Sequence, residues 1–177
     1  MNCPEKIAGT YLRLNGFFLL PHFTLFDGNE HTHVDFLALR PPRGIERCRG
    51  HELLLDTDFF FQEVNRLIGD NPFDHLIGAI VEVKGGQVGE LPSERQAAYA
   101  NNFFGPRATI VKLSFSQAIA NIGIRDDTIV ISLNHSFDWI KRRINWMNAN
   151  IDRLTKTGSW AWSEEFLSDL LYLHRLG

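Results

Sequence analysis

The sequence has little cysteine and no long apolar run. Its two cysteines, Cys3 and Cys48, lack the spacing of a zinc site and form no disulfide framework, which fits a reducing compartment. No stretch reaches the ~18 consecutive apolar residues that a transmembrane helix needs. We therefore expect a soluble, cytoplasmic protein with no membrane partner.

Excess positive charge is also absent. The chain has 18 Lys and Arg against 21 Asp and Glu, a formal net charge of −3. A protein that wraps nucleic acid is usually basic, so any contact with phosphate must come from a local patch. The sequence also lacks the nucleophile elbow, the phosphate-binding glycine loop and the dinucleotide fingerprint, which argues against the enzyme classes that use them.

The sequence does contain enough apolar residues for one core. Hydrophobic residues make up 44% of the 177 residues and charged residues 22%, which fits a single domain over 1–177 with a core at about 4–133. A helical extension is predicted at about 137–176, because apolar residues recur every three or four positions from Phe137 to Leu154 and again after Ser163. These helices form either a lid or a dimer seam, and we favour a homodimer.

Periodicity and turn signals predict an α/β fold. A helix, two strands joined at Asp27 to Asn29, an inserted helix, a strand, a helix and two strands are predicted in turn at 4–15, 17–26, 33–39, 56–68, 77–83, 93–104, 108–115 and 128–133. Pro21 marks a bulge or an edge position, and Asp56 or Thr57 is the expected cap of the inserted helix. The result is a central mixed sheet of four to five strands flanked by helices, in the order αββ(α)βαβ.

Charged residues interrupt two of the apolar strands. Residues 77–83 read as a buried central strand, and Glu82 and Lys84 at its end point to one face. Asp35 lies in the strand 33–39, where alternation places it opposite Val34 and Phe36. Such charges are costly inside a protein unless they are paired or liganded. A Glu82–Lys84 ion pair, or an Asp35 satisfied by backbone amides or one arginine, is the purely structural alternative.

This element order, with Asp35 on its second strand and Glu82, Val83 and Lys84 on its third, resembles the PD-(D/E)xK nuclease superfamily and its restriction-endonuclease-like core. The first helix adds a feature of archaeal Holliday junction resolvases, a Glu eleven residues before a Gly-aromatic pair, because Glu5 precedes Gly16 by 16 − 5 = 11. The resemblance covers residues 4–115. Glu5 could instead favour the helix dipole in the first turn.

One departure from the pattern concerns the helix after the lysine. Some branches carry Gln-x-x-x-Tyr there, whereas this chain has Gln96 and Tyr99 with two residues between them. The role of Gln96 is left open by the sequence.

The resemblance implies a Mg²⁺-dependent endonuclease acting on DNA, with Mn²⁺ as a substitute ion. Asp35, Glu82 and the Val83 carbonyl would be the protein ligands, since Mg²⁺ keeps waters and substrate phosphate as its other ligands. Lys84 would act on the attacking water or on transition-state charge and not as a ligand, and Glu5 could hold a second ion or a water. The rival function is a noncatalytic nucleic-acid-binding or assembly module that keeps the fold, and a nuclease acting on RNA is a third.

Two further clusters have binding chemistry. The densest positive patch is predicted to contact DNA, and it consists of Arg40, Arg43, Arg47 and Arg49. His31 and His33 alternate as zinc ligands do and could join His22 or His51. Histidines beside a turn are more commonly surface residues, so we do not expect zinc.

Overall fold

The computed structural model describes residues 1–27, 29–44, 47–86, 91–150 and 152. Over these residues the chain is an α/β fold with a mixed six-stranded sheet, a separate two-stranded hairpin and four helices. The helices are α1 (Cys3–Leu14), α2 (Phe60–Ile68), α3 (Glu94–Phe104) and α4 (Leu133–Ala149). The strands are β1 (Phe18–Asp27), β2 (Glu30–Arg40), β3 (Arg47–Cys48), β4 (His51–Glu52), β5 (Leu76–Lys84), β6 (Ala108–Ser116), β7 (Gly123–Arg125) and β8 (Thr128–Ser132).

The large sheet has the strand order β1-β2-β5-β6-β8-β7. The β1/β2, β2/β5 and β7/β8 pairs are antiparallel, whereas β5/β6 and β6/β8 are parallel. The expected α/β class and mixed sheet are confirmed. The sheet has one strand more than expected, because β7 is only three residues long and gives no alternation to detect. The sequence did not predict the hairpin of β3 and β4, whose strands are only two residues long.

Helices cover both faces of the sheet. On β5, Val81 belongs to the larger apolar cluster, which includes Tyr11 of α1 and Trp139 of α4. Its neighbour Ile80 belongs to a smaller cluster with Tyr99 of α3. Successive side chains of a strand point to opposite faces, so both faces of β5 are buried. This confirms the prediction of a buried central strand.

The start of α2 differs from the prediction. The helix begins at Phe60 after Phe59, which makes no side-chain capping hydrogen bond. Asp56 does not cap it. The Asp56 carboxylate turns inward, where it accepts a hydrogen bond from the Tyr11 hydroxyl at 2.5 Å and lies 2.7 Å from His135 Nε2. A carboxylate that is 1% exposed needs such partners, and both are distant in sequence.

An irregularity interrupts the edge of the sheet. The β1–β2 ladder pairs Pro21 with Phe36 and Phe23 with Val34, and it skips His22 and Asp35 between them. Phe36 packs in the larger cluster and Val34 in the smaller one. The expected common face of Val34 and Phe36 is therefore wrong, because the sheet is irregular at this point. The prediction of an edge or bulge at Pro21 is confirmed.

The α4 helix packs on the core. It begins at Leu133, earlier than the predicted Phe137, and buries Trp139, Ile140 and Ile144 in the larger cluster. Leu154 and the predicted helix at 163–176 lie outside the described residues, so the homodimer remains a prediction. Within the described part of the chain, no helix has both the length and the apolar character needed to cross a membrane.

Candidate active site

Asp35 and Glu82 come together where two core strands separate. The β2–β5 ladder runs from Arg40 paired with Ile77 to Phe36 paired with Val81, and it stops there. Asp35 and Glu82 are the next residue on each strand. Beyond the last pair, the Val83 amide donates a hydrogen bond to Asp35 Oδ2 at 2.6 Å. One Asp35 oxygen is therefore satisfied by backbone, as the structural alternative predicted.

The separated strand ends border an open cavity of about 440 Å³. Its lining consists of His22, His33, Val34, Asp35, Glu82 and Lys84. The structure thus gathers three of the predicted site residues, Asp35, Glu82 and Lys84, around one space. Polar groups that converge in a cavity are the usual arrangement of a ligand or substrate site.

Glu82 is held from two sides. Its Oε2 accepts a hydrogen bond from Lys84 Nζ at 3.1 Å, and its Oε1 accepts one from Gln96 Nε2, also at 3.1 Å. The Glu82 side chain is 12% exposed and that of Lys84 is 39% exposed. The Glu82–Lys84 ion pair of the purely structural alternative is therefore present. Glu82 sits at the wall of the cavity and Lys84 reaches further into solvent.

Gln96 is a site residue whose role the sequence left open. Its Nε2 donates to Glu82 and to the His33 carbonyl at 3.1 Å, and its Oε1 accepts the Ser93 amide at 2.7 Å. The last contact belongs to a capping box at the start of α3. The Ser93-x-x-Gln96 spacing is the sequence signal that places this amide, although it cannot show that the amide reaches Glu82.

The cavity environment disfavours a charged Glu82. Burial raises the pKa of the Glu82 carboxyl, and the nearby charge of Asp35 raises it too. The hydrogen bond and charge of Lys84 and the hydrogen bond of Gln96 lower this pKa. They offset only part of the rise, so the net shift of the Glu82 pKa is upward. A buried carboxyl group with a second acid beside it forms a site where a cation is favoured.

Glu5 lies beside the cavity and also caps its own helix. Asn2 donates to both Glu5 oxygens, from its amide at 3.1 Å and its side chain at 2.8 Å, which completes a capping box. Glu5 Oε2 also lies 3.6 Å from His22 Nε2. The start of α1 is close to the turn after β5, since a Cβ on Gly85 would lie 3.2 Å from Pro4 Cγ. Glu5 therefore has the helix-end role and a position near the site.

The donor set suits a particular kind of metal binding. Among the residues that the structure describes, no three His, Cys, Asp or Glu side chains are grouped so as to hold an ion. Asp35 and Glu82 supply two carboxylates at one cavity. Mg²⁺ is commonly held by one or two carboxylates while waters and phosphate complete its shell, so these residues fit Mg²⁺ and do not form an all-protein cage.

The expected DNA contact by Arg40 is wrong, because Arg40 is completely buried. Its guanidinium lies 4.8 Å from the ring centre of Phe61 and 4.7 Å from that of Phe73. It donates to the carbonyls of Asn15 and Gly44 at 3.3 Å and of Pro72 at 3.4 Å. Burial lowers its pKa to about 10, so it stays charged at neutral pH.

Of the other arginines of the predicted patch, the two whose side chains are described do not line the cavity. Arg43 and Arg49 are exposed, and Arg47 lies in β3 with its side chain outside the described part. Arg40, where this segment begins, is five residues from Asp35, or roughly 16 Å along a strand. Contact of Arg43, Arg47 and Arg49 with DNA stays a prediction.

His22 and His33 both line the cavity, and sequence reasoning considered them only as zinc ligands. In the structure, His22 lies against Glu5. Its φ is +50°, a left-handed conformation that is uncommon for a residue with a side chain. Pro21, just before it, was the signal for an irregular strand here.

No family model, curated protein or solved structure matches this chain.

Proposed function

We propose that the chain is a Mg²⁺-dependent endonuclease that hydrolyses DNA phosphodiester bonds. The observation that carries this is the meeting of Asp35 and Glu82, from two neighbouring core strands, with Lys84 at one open cavity. Apart from the short β3–β4 hairpin, the order of α1, β1, β2, α2, β5, α3 and β6 supports the same proposal, because the resemblance implies the order αββ(α)βαβ and a mixed sheet.

The metal would be held by Asp35 and Glu82, with the Val83 carbonyl as a third protein ligand. When bound, Mg²⁺ supplies positive charge to the phosphate and lowers the pKa of a coordinated water. Asp35 is already fixed by the Val83 amide at 2.6 Å, and Glu82 by Gln96 at 3.1 Å. These contacts hold both carboxylates in place before an ion arrives, which favours binding.

Lys84 would act on the chemistry directly. Its ammonium lies 3.1 Å from Glu82 Oε2, and its side chain is 39% exposed at the cavity. From there it can orient the attacking water or stabilise negative charge on the phosphate in the transition state. A lysine beside two acids is a poor metal ligand while it is protonated, so its role is separate from metal binding.

The rival function is a noncatalytic nucleic-acid-binding or assembly module. One observation favours it, because Lys84 and Gln96 already satisfy both oxygens of Glu82 without an ion. In such a module the ion pair would serve only stability. Loss of Lys84 would then leave Glu82 with one partner fewer and lower the melting temperature.

A cleavage assay tests the proposal. The protein is incubated with supercoiled, linear, single-stranded and branched DNA, and with RNA of matching sequence, with and without Mg²⁺ or Mn²⁺. We expect metal-dependent cleavage of at least one DNA, which Asp35→Ala with Glu82→Ala abolishes. Calorimetry on the same double variant should show loss of Mn²⁺ binding. Unchanged Mn²⁺ binding, or no DNA cleavage with either metal, would overturn the assignment.

A further inference from the structure

We infer that His22 is a further catalytic residue, which gives a proton to the leaving oxygen of the cleaved phosphodiester, and that Glu5 holds its imidazole for this step. The inference rests on the proposed nuclease function and deepens it. Hydrolysis needs a proton for the departing alkoxide as well as an activated water. Lys84 and the two acids account for the activated water. None of these residues has been assigned to give a proton to the departing alkoxide.

The placement of His22 suits this role. His22, Asp35 and Glu82 lie on three adjacent strands, β1, β2 and β5. His22 and Asp35 are the residues skipped between the Pro21–Phe36 and Phe23–Val34 pairs, and Asp35 and Glu82 follow the last β2–β5 pair. His22 and Lys84 both line the same cavity.

The chain holds His22 apart from the regular ladder. The residue is skipped in the pairing, its φ is +50°, and its side chain is 56% exposed. Backbone conformations of this kind are costly, and they cluster at functional sites as well as in turns. Here the conformation coincides with an exposed side chain that borders the cavity.

Glu5 supplies the matching charge. Its Oε2 lies 3.6 Å from His22 Nε2, within ion-pair distance, and Asn2 fixes both of its oxygens. A carboxylate at this distance attracts a protonated imidazole and orients it. This gives Glu5 a role next to the acid. A second ion is then not needed to explain its position.

The step balances with water as the other reactant. A water oxygen bonds to phosphorus and loses one proton to solvent, while the Lys84 ammonium orients that water. The bond from phosphorus to the leaving oxygen breaks, and that oxygen takes the proton from the His22 imidazolium. The products are a phosphomonoester and a hydroxyl group, and His22 regains its proton from solvent.

A leaving-group test isolates this step. Once the bond that the wild type cleaves has been mapped, DNA is made with sulfur replacing either the 3′ or the 5′ bridging oxygen of that bond. A thiolate leaves without protonation, because its pKa is far below that of an alcohol. A general acid is then dispensable for the substrate with sulfur at the leaving position, whereas Lys84 is not.

The variant is His22→Asn, because Asn tolerates a left-handed backbone better than other replacements. We expect it to cleave normal DNA about 10²-fold more slowly than the wild type and the sulfur-leaving substrate within about threefold of it. Its melting temperature and Mn²⁺ affinity should not change. His31→Asn, a matched exposed histidine that does not line the cavity, should match the wild type on both substrates.

A second variant covers the case in which His22→Asn is unstable. Glu5→Gln keeps a residue able to close the capping box and removes only the charge. It should show a smaller loss on normal DNA, which the sulfur-leaving substrate also restores.

The outcomes separate the two proposals. If the wild type cleaves neither substrate, the nuclease function fails and this inference fails with it. If the wild type cleaves and His22→Asn equals it on normal DNA, or loses the same factor on both substrates, His22 is not the acid and the nuclease function stands.

Discussion

The two ends of the β2–β5 strand pair carry charges of opposite sign and treat them in opposite ways. At one end the Arg40 guanidinium is fully buried between two aromatic rings and donates to three backbone carbonyls. At the other end Asp35 and Glu82 face an open cavity, and the pKa of Glu82 is raised. Burial disfavours the charged form at both ends, since it lowers the pKa of Arg40 to about 10 and raises that of Glu82. The two ends differ in their neighbours, because each Arg40 guanidinium nitrogen donates to a backbone carbonyl, whereas Glu82 lies beside a second acid at the cavity.

The difference indicates what each end is for. Burying the Arg40 charge is costly, but its guanidinium donates to three backbone carbonyls, and its removal leaves these groups without their donor. Two like charges held together work against stability, and sites of this kind are typical of binding and catalysis. Deleting a charge should therefore destabilise the protein at the Arg40 end and stabilise it at the Glu82 end.

The largest expected effect is on Arg40. Arg40→Met should lower the free energy of unfolding by about 3 kcal/mol, because three buried carbonyls lose their donor and two ring contacts are lost. Urea unfolding measures it. Arg40→Lys should recover only part of the loss, since an ammonium cannot lie flat between two rings. A loss of less than about 1 kcal/mol for Arg40→Met would mean that the Arg40 end of the β2–β5 pair, here called the closed end, does not stabilise the protein.

The next effect is on catalysis at the cavity end of the β2–β5 pair. Lys84→Met should keep the fold, the metal affinity and most of the DNA affinity, while cleavage falls by about 10²-fold or more, equivalent to about 2.7 kcal/mol. Melting temperature and cleavage are measured on the same sample. Cleavage at the wild-type rate by a folded Lys84→Met protein would remove this site as the catalytic centre. A fall in melting temperature that accounts for all lost activity would favour the noncatalytic module.

The sequence predicted the order and approximate bounds of most elements, because their apolar periods and stop signals are local. The predicted strand 77–83 is observed as Leu76–Lys84, and Gly69 ends α2 with a left-handed φ of +73°. The sequence analysis also predicted that Asp35, Glu82 and Lys84 lie at one site, and they line one cavity. It failed where distant residues decide. Arg40 was read as a surface charge because nothing near it in sequence shows Phe61 and Phe73.

The same limit explains what was missed at the site. Periodic alternation assumes an unbroken strand, so it could not place His22, which the ladder skips. Gln96 reaches Glu82 across 14 residues, through the packing of α3 beside β5. Such contacts follow from tertiary packing and not from local pattern.

A third prediction tests whether removing the Glu82 charge stabilises the protein, as expected at the cavity end of the β2–β5 pair, here called the open end. The folded state raises the pKa of Glu82 above its ordinary value of 4.5, so folding favours the protonated form. This contribution is fully present below pH 4.5 and is lost as the pH rises through the folded pKa. Glu82→Gln removes that loss. Without metal, the variant should gain stability relative to the wild type between pH 4 and pH 7.

Thermal or urea unfolding at the two pH values measures this, with Glu63→Gln as the control, because Glu63 is an acid paired with Arg66 away from the cavity. Adding Mn²⁺ should reverse the order by stabilising only the wild type. Glu82→Gln could instead be less stable than the wild type at pH 7 without metal. The Glu82–Lys84 ion pair would then stabilise the protein by more than burial of the Glu82 charge costs, and both ends would contribute to stability.

The smallest expected effect concerns whether DNA bound at the cavity also reaches the closed end of the sheet. Arg43 is exposed there, and its φ of +54° makes Asn the least disruptive replacement. Each lost phosphate contact should flatten the dependence of log affinity on log salt concentration by about one unit. Arg43→Asn should therefore weaken binding at low salt and leave folding unchanged.

The matched control is Arg125→Asn on β7, at the opposite edge of the sheet, which should change neither slope nor affinity. Titrations of a labelled duplex at several salt concentrations show whether bound DNA contacts only the cavity or also reaches Arg43. An unaltered slope for Arg43→Asn would confine DNA to the cavity end, or move it to the exposed Lys141 and Arg142 of α4.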